Sequence, residues 1–207
     1  PAIAKSALMT TAYQKVLDND RKTAANPFAM GAGHVDARGT GKGSLFQPGL
    51  GYEADINAYL GFLCDAAPEV FTNPAATCAR LAANGVPTKA INLNLPSIGV
   101  AALPGKTKII RTVTNVQSSG GAQLYKASVK APPGYQVAVS PRQFRLRPGE
   151  SATYEVAFTN KNAPANQWRF GSITWRAEDD IEVYSPIAVR GTLLAAPDAI
   201  TGAGTEG

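Results

Sequence analysis

Hydrophobic positions along the chain change period once, near residue 90. Before that point they recur at three and four. Ile3, Ala7, Leu8, Ala12, Tyr13 and Val16 form one stripe, which predicts an amphipathic helix over 2–17. Pro1 suits its first turn, where a missing N–H does no harm. Residues 53–63, EADINAYLGFL, predict a second helix with Ile56, Tyr59, Leu60 and Leu63 on one face. Glu53 and Asp55 fall early in it, where the helix dipole favours negative charge. A further short helical piece is expected within 68–84, around Cys78. Between the first two helices, DNDRKTAANP reads as a polar surface connection ending at Pro27, and the glycine-rich 28–51 as loop.

From about residue 91 the apolar positions alternate. Tyr125, Ala127 and Val129 share a side, as do Tyr135, Val137 and Val139, then Phe144 and Leu146, then Ala152, Tyr154, Val156 and Phe158. Breakers separate these runs: APPG at 131–134, RPGE at 147–150 and NAPAN at 162–166. About seven short strands with such turns predict a mostly β chain whose main body is an antiparallel β-sandwich over 91–194. Residues 1–62 carry too few apolar positions for a core of their own, and 63–90 connect the two parts. The small polar residues of 195–207 read as a tail or linker.

Composition narrows the function classes. The 207 residues are 44% hydrophobic and 17% charged, a globular balance. No run approaches the roughly 18 apolar residues of a membrane span, so no membrane partner is expected. The net charge of +5 and pI near 9.3 raise the question of nucleic acid. Yet the basic residues are scattered among apolar ones, as in Lys106, Lys108 and Arg111, or Arg142, Arg145 and Arg147. That reads as the solvated face of strands, with no basic helix or zinc-finger spacing, and no nucleic-acid partner is expected.

Candidate chemistry is sparse. GTGKG at 39–43 lacks the Gly-Lys-Ser/Thr ending and preceding strand of a phosphate-binding loop, so no nucleotide or other cofactor is expected. The single histidine, His34, would have to serve as the base for any serine nucleophile, and no G-x-S-x-G turn presents one. It reads instead as a hydrogen-bonding loop residue. Asp179, Asp180 and Glu182 lie close enough in sequence for calcium, but a polar hairpin turn accounts for them better. Cys64 and Cys78 are the only cysteines. A disulfide between them would close a loop of about fifteen residues and stabilise by about 3 kcal/mol. Two free buried thiols fit the sequence equally well. His34 offers the pair no second metal ligand, so no metal is expected.

A series of motifs, in order, points further. PAIAKSALMTTA opens the chain and NPFAMGAGHVD follows at 26–36, with His34 near its end. PGLGY at 48–52 contains Pro48 and Gly49, and DINAYLGFLC spans 55–64. LNLPSI at 93–98 holds Asn94, Pro96 and Ser97. RTVTNV at 111–116 holds Arg111 and Asn115. FGSITW at 170–175 holds Phe170, Gly171 and Trp175, and YSPIAV at 184–189 holds Ser185 and Pro186. Together they resemble the C-terminal part of a subtilisin-like serine protease, of the large secreted type known from plants and bacteria. Departures are few: a long glycine-rich insert between His34 and Pro48, Asp36-Ala37 where Asn-Pro is common, and Leu95 in place of a tyrosine.

The resemblance implies that 1–62 close a subtilisin-like α/β catalytic domain and that the sandwich is the family's fibronectin-III-like domain. It implies a Cys64–Cys78 disulfide and secretion. The family's catalytic Asp, His and Ser and its oxyanion-hole Asn lie upstream of the matched region, and His34 matches its structural histidine. No catalytic residue is therefore carried onto this chain, which is expected to be an inactive fragment of a serine endopeptidase. Its expected partners are the upstream catalytic portion of the same protease and, for the parent, polypeptide substrates. The competing reading is a non-catalytic β-sandwich module that binds a protein or a glycan. That reading needs an aromatic platform. Of Trp168, Phe170 and Trp175, alternation sends Trp175 inward and the motif claims Phe170, which leaves Trp168.

Overall fold

The computed structural model describes residues 1–37 and 43–193. The expected tail at 195–207 and most of GTGKG lie outside the described residues.

Among the described residues, nine strands form two sheets packed face to face. They are β1 (Leu50–Gly51), β2 (Ile98–Leu103), β3 (Lys106–Asn115), β4 (Gln123–Lys130), β5 (Tyr135–Ser140), β6 (Gln143–Leu146), β7 (Ser151–Asn160), β8 (Trp168–Ala177) and β9 (Glu182–Gly191). One sheet has the order β1-β3-β7-β5 and the other β2-β9-β8-β4-β6. All pairings are antiparallel except β2 with β9. The alternation read from sequence is the burial pattern observed. Tyr154, Val156 and Phe158 of β7 and Tyr125 of β4 point between the sheets. Trp175 fills the centre, its ring 4.4 Å from Phe144 and 5.0 Å from Tyr154. The Asp179–Asp180 stretch is the tip of the β8–β9 hairpin, with Asp180 at φ 65°.

The first 90 residues depart from expectation in several places. The helix predicted over 2–17 is α1 (Ala2–Thr10) and stops there. Tyr13 leaves to pair with His34 through two backbone bonds of 2.7 and 2.9 Å, and Leu17 bridges Ala24. These pairings use backbone groups that a continuing helix would need internally. Pro27 does not end a connection. It is the first residue of α2 (Pro27–Met30), capped by the Asn26 side chain, which accepts from Phe28 and Ala29 N–H. The second helix, α3, runs Ile56–Ala66. Asp55 is its cap, accepting from Ala58 N–H at 2.8 Å, while Glu53 lies outside it. On the predicted face Ile56 and Tyr59 are exposed, while Leu60 and Leu63 are half-buried. A 3₁₀ turn (Pro68–Val70) leads into α4 (Pro74–Ala83), and Cys78 on α4 is joined to Cys64 on α3. A second 3₁₀ turn (Ala90–Asn92) enters the sandwich.

The sandwich does not begin at residue 91. Within the loop expected at 28–51, Leu50 and Gly51 pair with Asn115 and Thr114 of β3 as an edge strand. Leu50 and Tyr52 are fully buried in the same core as Trp175 and Phe158.

Candidate functional site

A polar construction joins the segment before β2 to β3 of the sandwich. Arg111 lies on β3 between Ile109 and Val113, both buried, so strand alternation turns its guanidinium inward. It is 3% exposed, against the solvated position expected from its basic neighbours. Lys106, Lys108, Arg142, Arg145 and Arg147 are exposed as expected. Parity with Ile109 and Val113 was the sequence signal that separates Arg111 from them. Its Nε donates to Leu95 carbonyl at 3.0 Å, Nη1 to the carbonyls of Ile91 and Ile110 at 2.9 Å, and Nη2 reaches Ser97 carbonyl at 3.5 Å. Burial lowers its pKa, and the nearby hydroxyls of Tyr154 and Tyr52 act in the opposite direction.

The same strand grips this segment from its edge. Asn94 accepts from Thr112 N–H and donates to Thr112 carbonyl, both at 2.9 Å, so one side-chain amide imitates a ladder residue. Its NH₂ also donates to Glu53 carbonyl at 2.9 Å. Asn92 accepts from Ile110 N–H at 3.0 Å. Pro96 is buried beside this clasp and Ser97 half-buried.

A second clasp runs through Tyr52. Its N–H donates to Ser6 Oγ of α1 at 2.9 Å, and its hydroxyl lies 2.7 Å from Tyr154 and 3.0 Å from Ser185. Tyr154 belongs to one sheet and Ser185 to the other, so a residue outside the predicted domain bonds to both. Burial raises the pKa of Tyr52 and Tyr154. Asn115, fully buried, donates to Leu146 carbonyl at 3.1 Å and accepts from Gln117 N–H. Buried Pro48 and Gly49 make the turn into β1, and Gly49 carbonyl accepts from Val116 N–H at 2.9 Å. The sequence did not reveal Ser6 or Tyr52 as polar partners, because neither carries a local signal of burial.

The aromatic residues do not form an open platform. Trp168 is half-buried. Phe28 of α2 meets it edge to face at 4.9 Å and meets Phe170 likewise at 5.3 Å, while Arg190 covers the Trp168 ring at 5.1 Å. A cleft of about 440 Å³ opens beside them, between 14–30 and the β8–β9 face; Lys130 is the one charged residue in its lining. His34 is exposed, and it is the backbone of this residue that bonds to Tyr13. Gly171 packs against the turn after β4, where a Cβ would lie 2.3 Å from Lys130 carbonyl oxygen. Pro186 is buried opposite Ser172 in the β8–β9 ladder.

These groups are clasps. The described residues hold no group of three or more His, Cys, Asp or Glu arranged for a metal. No helix among them is long and apolar enough to cross a membrane.

Comparison with known proteins matches residues 92–189 to a fibronectin type-III domain. The chain is 33% identical, over 91% of its length, to a CO(2)-response secreted protease of Arabidopsis thaliana, of which it covers 25%. It is 34% identical over 92% of its length to the subtilisin-like protease SBT5.3 of the same plant, covering 24% of it. To the subtilisin-like serine-protease S of Lotus japonicus it is 34% identical over 91% of its length, covering 25%. The chain thus spans about a quarter of the length of the curated relatives it matches.

Proposed function

The chain belongs to the subtilisin-like serine proteases, as the part that carries their fibronectin type-III domain, and from that premise we propose that it is the supporting C-terminal segment of a secreted endopeptidase. In this reading the upstream portion of the same protein supplies the catalytic Asp, His and Ser and the oxyanion-hole Asn. This segment supplies the wall behind them and cleaves nothing by itself. The parent hydrolyses peptide bonds by acyl transfer to water.

One observation carries the reading: the exposed large hydrophobics are concentrated at one end of the chain. Leu8, Tyr13, Leu17, Phe28, Val35, Phe46, Ile56, Tyr59 and Val70 all precede β2, and Phe46 is 85% exposed. Beyond them, among the described residues, only Ile110 on β3 and Leu193 just past β9 share this property. A closed sandwich core, shared with Leu50 and Tyr52, next to an N-terminal segment whose other large apolar side chains stay exposed, fits a surface made for another body. The aromatic cluster at Trp168 does not favour the glycan-binding alternative, since its rings are engaged with one another and with Arg190.

The test is reconstitution. The purified chain should turn over no fluorogenic peptide and take no serine-directed inhibitor, and it should co-elute with the separately expressed upstream portion. Phe46→Asp and Ile56→Asp should weaken that association. Labelling of a serine in the isolated chain, or failure of the two portions to associate, overturns the proposal.

A further inference from the structure

We propose that the Cys64–Cys78 bond is a redox latch on α4, so that reduction frees this helix while the sandwich stays closed. The argument starts from what else holds α4. The helix has ten residues, fewer than the roughly 12–15 that an isolated helix needs to persist in water. Its start is well made, with Asn73 accepting from Ala76 N–H at 3.1 Å and Pro74 in the first turn. Caps, however, do not replace tertiary packing. Leu81 is its one buried residue, and the helix packs on α3 and on the 3₁₀ turn before it rather than on the sheets.

The helix α3 has anchors that α4 lacks. Gly61 lies so close to Pro87 that a Cβ would approach Pro87 carbonyl oxygen to 2.4 Å. Asp65 accepts from Ala90 N–H at 2.8 Å, and Tyr59 accepts from the Lys5 ammonium at 3.0 Å. The disulfide is therefore the covalent tie between an anchored helix and one with a single buried side chain. Both cysteines are partly exposed rather than buried, and the latch requires that a thiol from solution reach their bond.

The chemistry needs a dithiol reductant. Its thiolate attacks one cysteine sulfur, the Cys64–Cys78 bond breaks as a mixed disulfide forms, and the departing cysteine thiolate takes up a proton. The second thiol of the reductant then displaces the first cysteine. The reductant ends as a disulfide and the protein as two thiols, a balanced two-electron exchange. The released helix uncovers Leu81 and the side of α3 it packed on.

Hydrogen exchange on the full chain, oxidised and then reduced with dithiothreitol, tests the latch. Amides of 77–83 should lose protection on the order of a hundredfold, while those of β8 stay unchanged. Cys64→Ser with Cys78→Ser should reproduce the loss without reductant. Leu81→Ala with the bond intact should leave α4 more protected than reduction does. Unchanged α4 protection after reduction overturns the proposal. So does equal loss in α4 and β8, or a Leu81→Ala effect as large as reduction. The measurement involves this chain alone, so its failure would leave the proposed docking of the catalytic portion standing.

Discussion

The hydroxyl groups of Tyr52 and Tyr154 sit 2.7 Å apart at the centre of the molecule, although 102 residues separate them along the chain. Tyr154 belongs to the matched fibronectin type-III region and Tyr52 precedes it by 40 residues. Tyr52→Phe keeps the ring but leaves Tyr154 and Ser185 without this shared partner. A loss of about 1–3 kcal/mol in unfolding free energy is expected, read from the urea midpoint by tryptophan fluorescence. An unchanged midpoint would show that the hydroxyl chain contributes nothing.

Arg111→Lys keeps the charge and loses the fork. An ammonium is a compact donor and cannot hold three or four separated carbonyls at once. The expected cost is about 2–4 kcal/mol. Cleavage by added protease should rise first at 84–97, the segment whose carbonyls are released. Equal stability of the Lys variant would mean that charge alone suffices here.

Strand periodicity made the sandwich legible, because burial on one face repeats along the ten residues of β3 and of β7, whereas β8 and β9 bury consecutive residues at their centres. The same rule, applied to single positions, would have turned Arg111 inward. Basic residues nearby obscured it. Edge strand β1 was not readable, since two residues beside glycines give no period at all. The end of α1 was hidden for a different reason. Tyr13 continues the helical stripe, and only its pairing with His34, twenty-one residues away, takes it out of the helix. Proline 27 did carry a signal: an Asn-Pro pair ahead of an apolar residue is a helix start.

Gly171→Ala and Gly99→Ala make a matched pair. At 171 the added methyl meets the carbonyl oxygen of Lys130 and the ring of Pro132, a backbone neighbour that cannot swing aside. At 99, on an edge strand, it meets nothing within 4 Å. The first should cost about 1–3 kcal/mol or more and the second stay within about 0.5 kcal/mol. Thermal unfolding of the two variants side by side decides it, and equal effects would contradict the packing described for β8.

Alkaline pH should act through the tyrosines. Burial raises Tyr52, Tyr125, Tyr135, Tyr154 and Tyr184 above their ordinary value of 10.0, and Tyr125 reaches about 12, with Asp179 adding to the effect of burial. A folded pKa above the unfolded one means that the stabilising difference is fully present below pH 10. It is lost as pH rises through about 12. Urea midpoints should therefore hold level up to pH 10 and fall steeply beyond it. Tyr125→Phe should make the fall shallower, and identical slopes for the two proteins would remove Tyr125 from the account.

Strand β3 pairs with β1 only at its far end, at Thr114 and Asn115. Along residues 110–112 its outer edge is met by the side-chain amides of Asn92 and Asn94 instead of a strand. Bare strand edges are where folded proteins stick to one another. Two asparagines in a connecting segment thus do work that other sandwiches give to a whole extra strand or a lysine-studded rim. Along this stretch of edge, the difference between a dispersed molecule and a growing aggregate would then rest on two side-chain amides.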